Sequence, residues 1–158
     1  MNLKELRTSN ELSQKECALL LNIPLRTYVR YETEEEKECT QKYEYILEKL
    51  KEMTVIDEEH GILKLKNIIS TCTDIFKKYN VEYCYLFGSY ARNEASPTSD
   101  VDLFISMPVN GLKFYELIED LREGLHKKID LLDTTQIKNN PALALSILTD
   151  GIKIYVKE

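Results

Sequence analysis

The fold is decided by Gly88-Ser89-Tyr90-Ala91-Arg92, which is followed after a short gap by Ser99-Asp100-Val101-Asp102-Leu103. Residues 81–87 precede the glycine, and their aromatic and branched side chains predict a buried strand that ends at Gly88. In the second string acids alternate with apolar residues, which is typical of a half-buried strand. The sequence therefore predicts a tight turn of the size of a phosphate group beside a pair of carboxylates.

The segment between the two strings is predicted to pass from one strand to the next through a short helix. Ser89 can cap this helix, and the free backbone N–H groups at the helix start favour a bound anion. Pro97 cannot lie inside a helix without removing a hydrogen bond. We therefore expect the helix to end near Ala95 and the second strand to begin at Asp100.

The two acids of the second strand are expected to be neighbours. Side chains alternate between the faces of a strand, so Asp100 and Asp102 project together while Val101, Leu103 and Ile105 face a core. Two adjacent carboxylates repel each other unless a cation lies between them, and hard oxygen ligands suit Mg²⁺. The pair therefore predicts a metal site.

A third acid interrupts another short apolar string with strand character, Lys128-Ile129-Asp130-Leu131-Leu132. A charge inside an apolar strand is costly unless it has a function or a partner. We therefore interpret Asp130 as the third metal ligand, and Asp133 as a loop or cap residue after the strand.

Together, Gly88-Ser89, the Asp100-x-Asp102 pair and the later strand acid resemble the nucleotidyltransferases of the DNA polymerase β superfamily, above all the minimal nucleotidyltransferases. The resemblance covers about residues 62–158 and implies an α/β (α+β) nucleotidyltransferase fold with a short mixed sheet. The family usually has glycine where Asn93 stands, but asparagine tolerates left-handed backbone angles.

The resemblance also implies a role for each residue of the motif. Asp100, Asp102 and Asp130 would bind two Mg²⁺ ions, and Asp130 would help to deprotonate the attacking hydroxyl. The residues that would hold the triphosphate of ATP are Gly88, Ser89 and Arg92.

The function implied is transfer of AMP from ATP to a hydroxyl group. Minimal nucleotidyltransferases resemble the antitoxin of HEPN/MNT toxin–antitoxin pairs, in which the acceptor is a tyrosine of the HEPN ribonuclease. The short chain supports a protein acceptor, since it leaves no room for a small-substrate domain. Two alternatives stay open: a DNA-binding regulator that keeps a non-catalytic nucleotidyltransferase scaffold, and a nucleotidyltransferase acting on small molecules of the aminoglycoside type.

The N-terminal residues predict a separate all-α domain. Ser13 and Glu16 form a capping-box pattern before an apolar run, Asn22 makes a turn, Pro24 suits a helix start, and residues 25–32 read as a second helix. Two short helices across a tight turn resemble the helix-turn-helix of the phage-repressor-like (Xre) family, in which the second helix enters the major groove. The DNA contacts that this resemblance implies are Gln14, Arg26, Thr27, Tyr28 and Arg30.

Charge both supports and limits DNA binding. Residues 1–31 contain five basic and three acidic side chains, whereas residues 32–38 contain five acids and one lysine. Such an acidic block repels a phosphate backbone unless it is directed away from the duplex. The alternative is a helical module that docks onto a protein.

Length and composition set the outer limits of these predictions. The 158 residues suit two small domains, which we predict at 1–53 and 62–158, with a linker near 54–61. The net charge of −6 does not favour a bulk polyanion as substrate. Four scattered cysteines, no signal segment and no apolar run of membrane length predict a soluble cytoplasmic protein without a zinc site, either free or in a homo- or hetero-oligomer.

Overall fold

The computed structural model describes residues 1–107 and 111–158, whose contacts divide them into two compact units, Met1–Val55 and Ile56–Glu158. The first unit is helical, with α1 (Leu3–Ser9), α2 (Gln14–Leu20), α3 (Leu25–Thr33), a 3-10 turn (Glu35–Lys37) and α4 (Gln41–Thr54). Side chains from all four α-helices share its core, which contains Leu3, Leu6, Cys17, Ala18, Tyr28, Tyr43, Ile46 and Leu50.

Local signals read from the sequence hold in this unit. Ser13 and Glu16 form the predicted capping box, in which each side chain accepts a hydrogen bond from the other residue's backbone N–H, at 3.2 Å and 2.7 Å. Asn22 adopts a left-handed conformation with φ of 52° at the turn between α2 and α3. Pro24 is the N-cap of α3.

One predicted DNA contact in this unit is wrong. Tyr28 was expected on an exposed face of α3, but its side chain is completely buried (0% exposed) and packs in the core with Leu3 and Cys17. Its large ring lies on the apolar side of an amphipathic helix, where burial of aromatic area outweighs the polar hydroxyl. Tyr28 therefore stabilises the unit and is not accessible to a ligand.

The second unit is an α/β layer structure. Its elements are α5 (Leu65–Tyr79), β1 (Tyr83–Phe87), α6 (Gly88–Ala91), β2 (Val101–Ser106), α7 (Leu112–Leu125), β3 (Ile129–Leu132), α8 (Thr134–Lys138), α9 (Pro141–Asp150) and β4 (Ile152–Val156). The strand order is β3-β2-β1-β4; β2 and β3 are parallel and the other pairs antiparallel, so the predicted mixed sheet is confirmed. Within the described ranges, no helix is long and apolar enough to cross a membrane.

The two faces of the sheet are covered by different helices. Val101, Leu103 and Ile105 are each 0% exposed, as the alternation predicted, and pack in one core with α5 and α7. Phe87 and Phe104 lie on the other face, in a smaller cluster with side chains of α8 and α9. Asp102 shares this second face because it alternates with Leu103 along β2.

The turn after β1 differs from the prediction. The helix begins at Gly88, so Ser89 lies inside it and does not cap it, and the helix ends at Ala91 rather than near Ala95. Asn93 ends it early: with φ of 57°, it allows Glu94 N–H to donate to Ser89 O at 2.9 Å, a Schellman-type closure. The second strand also begins one residue later than predicted, at Val101.

Candidate active site

The turn at the end of β1 contacts the central acid of the motif directly. Phe87 pairs with Asp102 across β1 and β2, which brings Gly88 against the Asp102 side chain. Gly88 has φ of 71°, and a Cβ at this position would lie 2.1 Å from Asp102 Oδ2. The site therefore requires glycine here for two reasons, the left-handed backbone and the approach of a carboxylate.

A second acid lies on the neighbouring strand. The parallel register of β2 and β3 pairs Asp102 with Asp130, so the two alternating side chains stand on the same face of the sheet. Asp130 is exposed and Asp102 is half-buried. Asp100 lies one residue before β2 and is also exposed.

The electrostatics of Asp102 show that these acids interact. Burial, together with the nearby charges of Asp130 and Asp100, raises the pKa of the Asp102 carboxyl to about 6, while Arg92 acts in the opposite direction. A carboxyl with this pKa takes up a proton well above the pH at which an ordinary aspartate does, because burial and the neighbouring acids both disfavour its charged form. The site is therefore a concentration of negative charge that a divalent cation would relieve.

The carboxylate oxygens of the three aspartates are hard ligands of the kind that Mg²⁺ prefers. Asp102 Oδ2 lies in the space that a Cβ at Gly88 would fill. The three carboxylates do not converge on one point. Residues 1–107 and 111–158 contain no group of three His, Cys, Asp or Glu side chains that could hold a metal ion. Asp100 precedes the strand ladder, and like charges favour separation into water. The ligand roles of the three aspartates stay predictions.

Arg92 faces the same site from the end of α6. Its Nε donates to Glu94 Oε2 at 3.0 Å, and its Nη1 lies 3.7 Å from Asp150 Oδ2. The Arg92 side chain is 39% exposed, so a phosphate group can reach it. Asp150, the last residue of α9, lies two residues before β4 and was not among the predicted site residues.

The loop that leads to Asp100 is ordered by its own hydroxyl groups. Ser96 N–H donates to Ser99 Oγ at 2.8 Å, and Ser99 N–H donates to Ser96 O at 3.0 Å. Asp133, after β3, caps α8 by accepting from Thr135 and Gln136 N–H, as its cap assignment predicted. The acid after β3 is therefore structural, unlike Asp130 within the strand.

In the helical unit, one predicted DNA contact is held by an internal ion pair. Glu32 accepts from Arg7 Nε and Nη2 at 2.8 Å and 2.9 Å, and from Gln14 Nε2 at 3.1 Å. Burial opposes ionisation of Glu32, but the hydrogen bonds from Arg7 and Gln14 hold its pKa below the usual value. One N–H of the Gln14 amide is therefore used within the fold, and the role of Gln14 as a DNA contact stays a prediction.

The other predicted DNA contacts lie along α3. Arg26 is exposed in the first turn, and Thr27 beside it is half-buried. Arg30 is exposed, but its Nε lies 3.3 Å from Glu34 Oε1. Arg26 and Arg30 therefore lie in one region of the α3 surface, and Glu34 lies beside Arg30.

Comparison with known proteins identifies the second unit. The family model described as "Polymerase beta, Nucleotidyltransferase" matches residues 70–158, more than half of the chain. The Methanocaldococcus jannaschii protein named "Putative protein adenylyltransferase MJ0126" is 41% identical over 83 residues, which cover 51% of this chain and 84% of that protein. The "Protein adenylyltransferase MntA" of Thermococcus cleftensis is 33% identical over 100 residues, which cover 60% of this chain and 99% of that protein.

Solved structures give a weaker match. A crystal structure of a toxin–antitoxin complex with AMP-PNP is similar with a TM-score of 0.49 and 21% sequence identity, over 60% of this chain and 76% of that one. A likeness of this size carries no argument about function.

Proposed function

Because the chain belongs to the polymerase β nucleotidyltransferase family and is therefore a nucleotidyltransferase, we propose that it transfers AMP from ATP to a hydroxyl group of a partner protein. The observation that carries this proposal is the position of Asp102, which is seated against Gly88 and coupled to Asp130 and Asp100. Relatives that bear the name protein adenylyltransferase support a protein as the acceptor.

In this proposal each side chain acts on one part of the reaction. The acceptor oxygen forms a bond to the α-phosphorus, the bond from that phosphorus to the bridging oxygen breaks, and pyrophosphate leaves. Asp130 takes the hydroxyl proton, Gly88 and Ser89 donate hydrogen bonds to the triphosphate, and Arg92 neutralises phosphate charge. Two Mg²⁺ ions held by the three aspartates would supply Lewis-acid stabilisation of the attacking and leaving oxygens.

The acceptor that we propose is a HEPN-type toxin, which makes this chain its antitoxin. The support is the resemblance of the Gly88-Ser89 and Asp100-x-Asp102 motif to the minimal nucleotidyltransferases. Arg92 and Asp130 are exposed, so a bulky protein surface can approach the site.

The test follows a label from ATP to a purified HEPN-type protein. With ATP labelled at the α-phosphate we expect the acceptor to become labelled, and with ATP labelled at the γ-phosphate we expect no transfer. Asp102→Asn should lower the rate by about a thousandfold, as expected when an electrostatic centre is removed, while Asp133→Asn, which keeps an N-cap, should react like wild type. Undiminished α-label transfer in Asp102→Asn would exclude this site as the catalytic centre.

For the helical unit we propose a helix-turn-helix that binds the DNA upstream of its own gene. The support is the packing of α2 against α3 across the left-handed turn at Asn22, with Arg26 exposed at the start of α3. Arg26→Ala should weaken binding in a gel shift and lower the salt slope by about one. Lys51→Ala removes an exposed charge from α4 and is the matched control; equal effects of the two changes would leave no reading role for α3.

A further inference from the structure

Lys127 is buried at the junction between α7 and β3. Its side chain is 0% exposed, the one charged side chain buried to this degree among residues 1–107 and 111–158. Burial lowers the pKa of its ammonium group, while the charge of Asp57 acts in the opposite direction. An ion in such a place is costly unless its hydrogen bonds are satisfied, so its contacts explain why it is there.

The Lys127 ammonium donates to three backbone carbonyls. Its Nζ lies 3.0 Å from His60 O, 2.8 Å from Gly61 O and 2.5 Å from Pro97 O. A lysine has three donors, so all of them are used. Because the partners are main-chain atoms of two distant segments, this side chain joins three parts of the chain at one point.

Two of these segments flank the candidate active site. Pro97 lies three residues before Asp100, and Lys127 lies three residues before Asp130. The next residue continues the connection, since Val101 N–H donates to Lys128 O at 2.9 Å. The loop that carries Asp100 is thus attached at both ends to the segment that leads to Asp130.

We propose that Lys127 is a positioning residue of the nucleotidyltransferase site, which sets the distance of Asp100 from Asp130 and so the affinity for the divalent cation. The inference rests on the proposed function, because it concerns the same three aspartates. Lys127 touches neither the substrate nor the acids and acts through the Pro97 carbonyl. An apolar side chain at this position would leave three carbonyls without this donor and cost stability in any case, so a loss of stability alone does not distinguish a positioning role from a structural one.

The test measures metal binding directly, by titrating the full-length chain with Mn²⁺ and detecting the free ion by electron paramagnetic resonance. Lys127→Met should raise the Mn²⁺ dissociation constant at least tenfold, and Lys127→Arg, which keeps the charge but not the tripod geometry, by a smaller factor. Lys128→Met alters the exposed neighbour and should bind like wild type. Ile68→Ala lowers the melting temperature from a core position on α5 and should leave Mn²⁺ affinity unchanged.

Each outcome decides the proposal. Wild-type Mn²⁺ affinity in folded Lys127→Met, or a loss no larger than in Ile68→Ala at equal melting temperature, would overturn it. Should Lys127→Met not fold, Lys127→Arg decides alone: weaker Mn²⁺ binding together with faster amide exchange at residues 98–101 supports the role, and wild-type values overturn it. Asp102→Asn distinguishes failure of the proposed function from failure of the Lys127 proposal. Unchanged Mn²⁺ binding in Asp102→Asn would show that the metal site does not exist, and the role of Lys127 would fall with it.

Discussion

In the helical unit the carboxylate of Glu32 is 2% exposed and accepts hydrogen bonds from Arg7 and Gln14, whereas in the α/β unit the carboxylate of Asp102 is half-buried among further acids. The pKa of Glu32 is consequently lowered and that of Asp102 is raised. A buried charge with its partner holds elements of a fold together. A buried charge without such a partner weakens the fold, so the comparison separates an acid that stabilises the fold from one that is a candidate cation ligand.

The largest effect on stability is expected when the paired carboxylate is removed. Glu32→Ala removes the carboxylate partner of the largely buried Arg7 side chain, which keeps only its hydrogen bond to Leu12 O, and we expect the free energy of unfolding of the helical unit to fall by about 3 kcal/mol. Hydrogen exchange in residues 1–55 measures this loss. Glu34→Ala breaks only the exposed pair with Arg30 and should change the value by less than about 0.5 kcal/mol; equal losses would contradict a structural role for the buried pair.

The second largest effect on stability is expected where the turn at Gly88 contacts Asp102. Gly88→Ala should destabilise the α/β unit by about 2 kcal/mol and abolish AMP transfer, because the new Cβ combines left-handed strain with collision against Asp102 Oδ2. Gly111→Ala is the matched control, since Gly111 has φ of 94° but no atom of residues 1–107 or 111–158 within 4 Å of the added Cβ. It should cost about 1 kcal/mol from the backbone alone. Thermal unfolding and the transfer assay would contradict the prediction if both variants behaved alike.

The smallest effect is a gain in stability. The pKa of Asp102 is about 6 in the folded chain and lower when unfolded, so folding favours the protonated form and the wild type loses stability as pH rises from about 4 to 6. Asp102→Asn should therefore stabilise the metal-free protein by about 1–2 kcal/mol at pH 7.5, after allowance for partial exposure, and by almost nothing at pH 4. Melting temperatures in EDTA at the two pH values measure this, and a gain independent of pH would contradict the electrostatic explanation.

Much of the candidate site could be predicted from local sequence, because strand alternation and turn conformation depend on residues that are close in sequence. The alternation of Val101, Asp102 and Leu103 follows from the period of a strand, and the structure buries the apolar members as expected. Asn93 stands where the resembled family usually has glycine, and Asn22 makes the predicted turn; both adopt the left-handed conformation that asparagine tolerates. These features depend on residues close in sequence, so pattern alone identifies them.

The wrong predictions concern residues whose environment is determined by contacts with residues distant in sequence. Tyr28 looks like an exposed polar residue of a recognition helix, but the core formed with Leu3 and Tyr43 encloses it. The local pattern made Ser89 a cap, although the approach of Asp102 requires Gly88 to be the first residue of the turn. No pattern around Lys127 indicates that its partners are the carbonyls of Gly61 and Pro97.

The chain itself, through its alternating acids, its Gly-Ser turn and its apolar periodicities, determined the elements of a nucleotidyltransferase fold and the residues that we predict to carry its chemistry. Tertiary structure alone decided which charges are paired and which are not: Glu32 meets Arg7 across two helices, and Asp102 meets Asp130 across two strands. The reason is physical, since periodicity depends on neighbouring residues, whereas the free energy of a charge depends on every group that surrounds it after folding.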